Sequence, residues 1–370
     1  MSTDFPAAMS FEQAIKGFRH LGVYPEIENW RDQLRQWCSS VLLKPLLNKI
    51  ETSHIQVMQK TSKLGINVTI SAVGSVLPPN GTFTTILPLD RTQEWQPSYT
   101  WDEHGLLKEL RDSLIHTIVA SGSTELRGQQ YQTVRQQRTA DQQNAVHQQQ
   151  AARISHIQEC INAIREYLML QSLMKGEWVN SLLPCSSFQV DYTVQRIREL
   201  AEGTCLKSYE YNRTEDTREK NKKWSMEPPT DSHLLLYLFC AFLEHPNWML
   251  HLDPSSFSGI HARENPLYLG VLPPNEIFPE KYIAVVSGVP STLHPGACVL
   301  AVDKQRPTRF ALYWDKKLQF TLQGITAAWD SMLLMCHIIK VSYGGVVRGV
   351  NLGSSSLNIL QVFEDLMITY

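Results

Sequence analysis

The sequence contains no apolar run approaching the ~20 residues that a bilayer-spanning helix needs. Its longest such runs are Leu234 to Leu243 and Met332 to Ile339. Met1 to Ser10 has neither the basic nor the apolar region of a secretory leader, so the chain itself is expected to be soluble. Charge of one sign is not in excess: 34 Lys+Arg stand against 36 Asp+Glu, a net −2. Without a basic field to draw it onto phosphates, nucleic acid is not an expected partner. Cysteine pairing is absent too. Cys38, Cys160, Cys185, Cys205, Cys240, Cys298 and Cys336 are odd in number, widely spaced and free of any C-x-x-C pair. Several lie in apolar runs, as buried thiols do, and a reducing compartment is expected.

Catalytic signatures are also lacking. There is no G-x-x-x-x-G-K-[ST], no G-x-G-x-x-G after a strand, no G-x-S-x-G and no H-E-x-x-H. The chain is therefore read as no enzyme, with no catalytic residue, no metal ligand and no cofactor. Two weak candidates have blander readings. His294-Pro-Gly-Ala-Cys298 brings an imidazole near a thiol, but at a strand start this reads as a turn histidine and a buried cysteine. His233, His245 and His251 are spaced by 12 and 6, which matches no compact metal pattern.

What is present divides into three parts: 1–121 helical with short strands, 122–176 a long Gln-rich helix or linker, and 177–370 mixed α+β. From Ser10 to Lys60 the apolar residues Phe11, Ile15, Phe18, Ile27, Trp30, Leu34, Trp37, Val41 and Leu42 recur at helical spacing, and Pro45 should kink or restart the helix. Ile66 to Ile70 and Thr82 to Ile86 alternate as short strands do. Trp101 to Ser121 is helical again, with Leu106, Leu107, Leu110, Leu114 and Ile118 facing inward.

Gln129 to Gln150 holds ten glutamines in twenty-two residues and leads into Ile154, Ile157, Ile161, Ile164 and Leu168, spaced 3, 4, 3, 4. This reads as one long helix frayed at its Gln-rich end, packing on the chain's own core rather than in an intermolecular coiled coil; a disordered linker is the other reading. Further on, Asp191 to Leu200 is helical with Gly203 as cap, and Pro229-Thr-Asp-Ser starts a buried helix through Glu244. Tyr282 to Ser287, Ala297 to Val302 and Arg309 to Trp314 suggest an antiparallel meander, and Ala327 to Tyr343 a long helix closing on Gly344-Gly345. The fold class expected is α+β, helix-rich, with a small antiparallel sheet in the C-terminal half and a long Gln-rich helix in the middle.

Two stretches carry the candidate residues. Tyr209, Tyr211, Arg213 and Trp224 combine the residue types that most often hold binding energy at interfaces, so they are the candidate partner surface, against the blander reading of an edge strand and exposed loop. Val350-Asn-Leu-Gly-Ser-Ser-Ser-Leu-Asn-Ile-Leu360 sets asparagines and glycine among apolar residues, as a tight turn entering a buried helix does. Asn351, Gly353 and Asn358 there, with Thr230, Asp231 and Ser232, are read as architecture.

The chain resembles the transmembrane protein 209 family, nuclear-envelope proteins whose long soluble region is called cytochrome b561, N-terminal. The resemblance rests on Trp37-Cys-Ser-Ser-Val-Leu-Leu-Lys-Pro-Leu-Leu, Arg196-Ile-Arg-Glu-Leu-Ala-Glu-Gly-Thr-Cys205, Tyr211-Asn-Arg213, Pro229-Thr-Asp-Ser232 with Phe239-Cys240, Ile338-Ile-Lys340, and Val350-Asn-Leu-Gly353 with Asn358-Ile-Leu360. These follow one another in family order from about Pro25 to Glu364. The sequence departs from the family pattern at Gly349, where Arg is expected, and at Thr214-Glu215 after Tyr211-Asn-Arg213. The resemblance implies a non-enzymatic scaffold at the nuclear envelope with a nucleoporin of the inner pore ring as protein partner, a role in nuclear transport, and membrane attachment only through upstream segments that this chain does not contain.

Overall fold

Ser10 opens the first helix by a reciprocal pair of bonds. Its Oγ accepts from the Gln13 N–H at 3.2 Å, and its own N–H donates to Gln13 Oε1 at 2.9 Å. This capping box satisfies two first-turn donors of α1, Phe11–His20. The structure, a computed structural model, describes residues 5–75, 103–131, 140–177, 190–202, 231–244, 269, 283–287, 292–293, 295–301, 309–347, 350–354 and 357–364.

After α1 come α2, Ile27–Trp37, a π-helical turn, Cys38–Leu43, and α3, Lys44–Lys63. The wide turn has a sequence cause. Pro45 has no N–H to return to the carbonyl four residues back, and the Lys44 N–H reaches Ser39 O instead, one residue further than in an α-helix. The expected kink at Pro45 is thus a restart through a π turn. The remaining helices are α4, Glu103–Tyr131, α5, Ala140–Met174, α6, Val190–Glu202, α7, Asp231–Glu244, and α8, Ala327–Tyr343. Of the Gln-rich stretch, residues 132–139 lie outside the described residues, as do Thr82 to Ile86, Gly203 and Thr230.

Two units emerge from the contacts, Met1–Leu47 with Met174–Tyr370, and Asn48–Leu173. The structure divides the chain differently from the three parts read in the sequence. A compositional break such as the glutamine run marks a change in solvent exposure, whereas a unit boundary is set by which core a helix fills.

In the second unit, Leu107 and Leu114 of α4 and Ile157, Ile161 and Ile164 of α5 are buried, so the 3, 4 stripe faces this unit's own interior. Lys49 pairs with Glu166 and Lys60 with Glu159, the latter at 2.6 Å. Rising numbers on α3 meet falling ones on α5, so the two helices run antiparallel. Ile66, Val68 and Ile70 are buried while Asn67 and Thr69 are exposed; the alternation expected of a strand is present, with an isolated bridge at Asn67 in place of a ladder.

The first unit holds a four-stranded sheet in the order β1, Ile283–Ser287, β2, Ala297–Ala301, β3, Arg309–Trp314, and β4, Lys317–Gln323. β2, β3 and β4 are antiparallel neighbours, but β1 runs parallel to β2, so the expected meander of the first three strands is corrected at its first pair. β4 was not foreseen. It follows a two-residue turn at Asp315 and Lys316, whose φ of 50° and 60° are left-handed, in the manner of a type I′ hairpin that usually recruits Asn and Gly.

α1 packs on β4 through Phe18, whose ring stacks on Phe320 at 5.4 Å. A Cβ at Gly17 would stand 2.4 Å from Phe320 Cε1. Helix propensity favours Gly17→Ala by about 1 kcal/mol, yet the buried ring has nowhere to move. The substitution should lower stability by roughly 1–3 kcal/mol, read as a fall in Tm by circular dichroism; an unchanged or higher Tm would contradict this packing.

Candidate functional site

Described residues from several of the motifs are far apart in sequence and meet in the interior of the first unit. Trp37, last residue of α2, lies beneath α7 with its ring edge-on to Phe239 and Phe242, both at 6.0 Å. Its indole Nε1 donates to Leu357 O at 2.7 Å. Two residues on, the buried Ser39 Oγ donates to Ala201 O at 3.2 Å, filling one of the carbonyls that the last turn of α6 leaves unpaired. The same helix reaches α7 through Arg196, whose Nε and Nη2 bond Asp231 Oδ1 and Oδ2 at 3.0 and 2.6 Å. Asp231 begins α7, where a carboxylate also meets the positive end of the helix dipole.

α8 is tied in by a second bidentate pair. Arg31 Nε and Nη2 bond Asp330 Oδ1 and Oδ2 at 2.5 and 3.1 Å. Arg35, one turn on, lies over the Trp329 ring at 5.4 Å and pairs with Asp32 at 3.4 Å. Burial pushes the Asp330 carboxyl above the usual range even though the Arg31 hydrogen bond and charge pull it down.

The thiols here are inert. Cys38 is pushed up first by burial and then by the neighbouring Cys336, which is itself pushed up to about 12 by burial. A protonated, desolvated thiol is a packing atom and not a nucleophile. Cys298, in β2, is likewise fully buried and pushed up to about 12 by burial. His294 lies outside the described residues, as do His245 and His251, while His233 is buried in α7.

The C-terminal turn is built from the residues the sequence singled out. α8 ends on Gly344 at φ 61°, followed by Gly345 at φ 82°. The short strands β5, Val346–Val347, and β6, Val350–Asn351, pair antiparallel. Asn351 Oδ1 then accepts from the Gly353 N–H at 2.9 Å, and Asn358 takes a left-handed φ of 51° before the 3-10 turn Ile359–Phe363. Asn358 holds the N-cap position of that turn without a side-chain capping bond. Asn351, Gly353 and Asn358 thus lie in this turn, and Asp231 and Ser232 are buried in the first turn of α7. Tyr209, Tyr211, Arg213, Trp224 and Thr230 lie outside the described residues.

Sequence reasoning missed Arg31, Asp330 and an aromatic cluster beside them. The rings of Trp30 and Phe363 lie 6.2 and 5.9 Å from that of His337, and Lys340 lies 5.3 Å over Phe363. An aspartate inside the apolar run Ala327 to Tyr343 was the available signal; its partner, 299 residues away, was not. Burial, then Lys340, holds the His337 imidazole below its ordinary value. A base depressed in the folded state binds its proton more readily when unfolded, so the stability it confers is full above pH ~6.5 and is lost as pH falls through the folded pKa. His337→Phe should therefore lose less stability than the native chain between pH 7 and pH 5 in urea titrations; equal pH slopes would contradict this.

Among the described residues, a groove of about 350 Å³ at the β3–β4 turn is lined by Pro295, Gly296, Trp314, Asp315, Lys317 and Gln319. An apolar gap of about 10 Å³ among Leu243, Met335 and Leu352 barely admits one water. Among the described residues no group of three His, Cys, Asp or Glu side chains could hold a metal ion.

These features define a helix-rich α+β protein whose motif residues form a buried junction. The chain belongs to the family described as cytochrome B561, N terminal, which it matches over residues 1–364. No solved structure matches it. Among the described residues no helix is long and apolar enough to cross a membrane.

The family name raises haem, whose iron is held by His, Cys, Met or Tyr. Among the described residues these types do not gather around a cleft: His337 is wedged between rings, Cys38, Cys298 and Cys336 are sealed in, and the groove at the β3–β4 turn has none in its lining. The described residues do not fit the group.

Proposed function

We propose that this chain is a non-enzymatic scaffold domain that holds a protein partner, and that the partner is a nucleoporin of the inner pore ring at the nuclear envelope, with a role in nuclear transport. The partner and the location come from the resemblance to the transmembrane protein 209 family. The observation that carries the scaffold reading is the junction at Trp37. Its aromatic, acidic and hydroxyl side chains are turned inward to bond helices together, so they join no surface where a substrate would lie. Large apolar side chains remain on the outside of the same unit, with Phe11 80%, Val341 69% and Ile325 63% exposed. Such residues contribute to protein contacts more readily than to chemistry.

A cryptic enzyme or small-ligand-binding domain with a pocket near the C-terminal sheet is the competing reading; it needs convergent polar side chains in a cleft, and a buried, hydrogen-bonded cluster of His294, Cys298 and an acid would favour it. Cys298 packs with Leu300 and Ala311, all fully buried, and His294 lies outside the described residues. The test is affinity capture from nuclear-envelope extract with the chain as bait, followed by mass spectrometry. An inner-ring nucleoporin enriched over a control bait, equally with native chain and Cys298→Ala, is the expected outcome. Recovery of no pore component would overturn the assignment.

A further inference from the structure

The residues ahead of α1 lie across the sheet as a strap. Phe5 packs on Cys298, Leu300 and Ala311. The Arg309 guanidinium covers its ring at 5.3 Å, and Arg309 Nη1 donates to Pro6 O at 3.1 Å. Three residues later the Met9 N–H donates to Thr321 O of β4 at 2.9 Å, while Ala7 and Ala8 are exposed. The strap thus begins on β3 and ends on β4, the last strand of the sheet order.

Two properties make this seat a reader of extended peptide. Both polar contacts fall on strap main-chain atoms, one carbonyl and one N–H, which any extended segment offers at the same spacing. Side-chain selection rests on a single aromatic ring held between Arg309 and the sheet face. Pro suits the next place, because only its carbonyl is used and its fixed φ lowers the entropy lost on docking. Beside the Met9 contact, the buried Thr321 Oγ1 has no hydrogen-bond partner. An outermost strand is also the usual template for adding a chain.

We propose that the Arg309–Thr321 edge is a docking groove for an extended segment of a partner protein carrying an aromatic residue followed by proline, and that the strap Phe5–Met9 occupies it until displaced. This deepens the scaffold reading and rests on it for the partner being a protein; the groove itself is tested without that partner.

The probe is a fluorescein-labelled synthetic peptide of residues 2–12, titrated by anisotropy into the full chain and into its Phe5→Ser variant. A seat vacated in Phe5→Ser should bind the peptide about tenfold or more tighter than the native chain, whose own strap reduces the free fraction. Adding Arg309→Met, or replacing the peptide's phenylalanine by serine, should remove that gain. A Phe5→Ser chain with native circular dichroism and no gain overturns the proposal. If Phe5→Ser does not fold, hydrogen exchange of the native chain decides: excess peptide should speed exchange at Met9 while Thr321 and Gln323 stay protected, and no change at Met9 overturns it. Peptide binding without capture of a pore protein sinks the partner assignment alone; capture without peptide binding sinks the groove alone.

Discussion

Asp330→Ala should remove about 3–5 kcal/mol of stability, because it strands the Arg31 guanidinium, 16% exposed, against a face of α8 that holds no other acid. The magnitude follows from the asymmetry of buried pairs. Each ion is costly to desolvate, the partner offsets that cost, and removal of one partner leaves the other uncompensated. Removing both, as Arg31→Met with Asp330→Leu, should therefore restore most of the loss, since an apolar pair of similar volume is about as stable as a buried ion pair. The complementary variant Arg31→Met adds a pH signature. Without the guanidinium the Asp330 carboxyl rises further, and an acid raised in the folded state confers stability that is full below its unfolded value and is lost as pH rises through the folded one. The deficit of Arg31→Met relative to the native chain should thus be large at pH 7 and shrink towards pH 4. Urea denaturation across that range measures it, and a deficit independent of pH would contradict the pair as described.

Trp37→Ala should be as damaging. Loss of the buried ring beside Phe239 and Phe242 costs about 3–5 kcal/mol, and the Leu357 carbonyl loses the donor that satisfies it. Trp37→Phe separates the two contributions: it keeps most of the ring but not the N–H, and should cost about 1–3 kcal/mol for the stranded carbonyl. Guanidinium denaturation of both variants tests the order. If Trp37→Phe proves as severe as Trp37→Ala, ring packing is not the larger contribution.

Much of the fold was legible because periodicity and punctuation agreed. α8 was read at both ends, since an apolar helical run closes on Gly344-Gly345, and those glycines take the left-handed φ that a helix end demands. β3 was read likewise, as a β-rich run bounded by turn residues. β4 was not, because Asp315 and Lys316 adopt left-handed angles without the Asn or Gly that announces such a turn, and the strand buries only Phe320, Thr321 and Leu322. The direction of β1 was invisible for a different reason: parallel and antiparallel strands share one side-chain period, and direction is decided by the path of the connection.

The motif junction was half legible. The sequence singled out Asp231, Ser232, Asn351, Gly353 and Asn358, and the structure places them at a helix start, in a turn or in a buried position. It did not show that Arg196 reaches Asp231 or that Trp37 reaches Leu357, next to Asn358, because ion pairs and indole bonds across 35 and 320 residues leave no local trace. The strap was passed over too. Phe5 and Pro6 were read only as the absence of a leader, and their meaning depends on Arg309, 303 residues away from Pro6.

Native-state hydrogen exchange tests the central claim most directly. If Trp37, Arg196 and Arg31 bind α2, α6, α7 and α8 into one core, the slowest amides of those four helices open together, with a shared free energy equal to that of global unfolding. A separate, lower-energy opening of α7 or α8 would show that the junction does not hold the unit together.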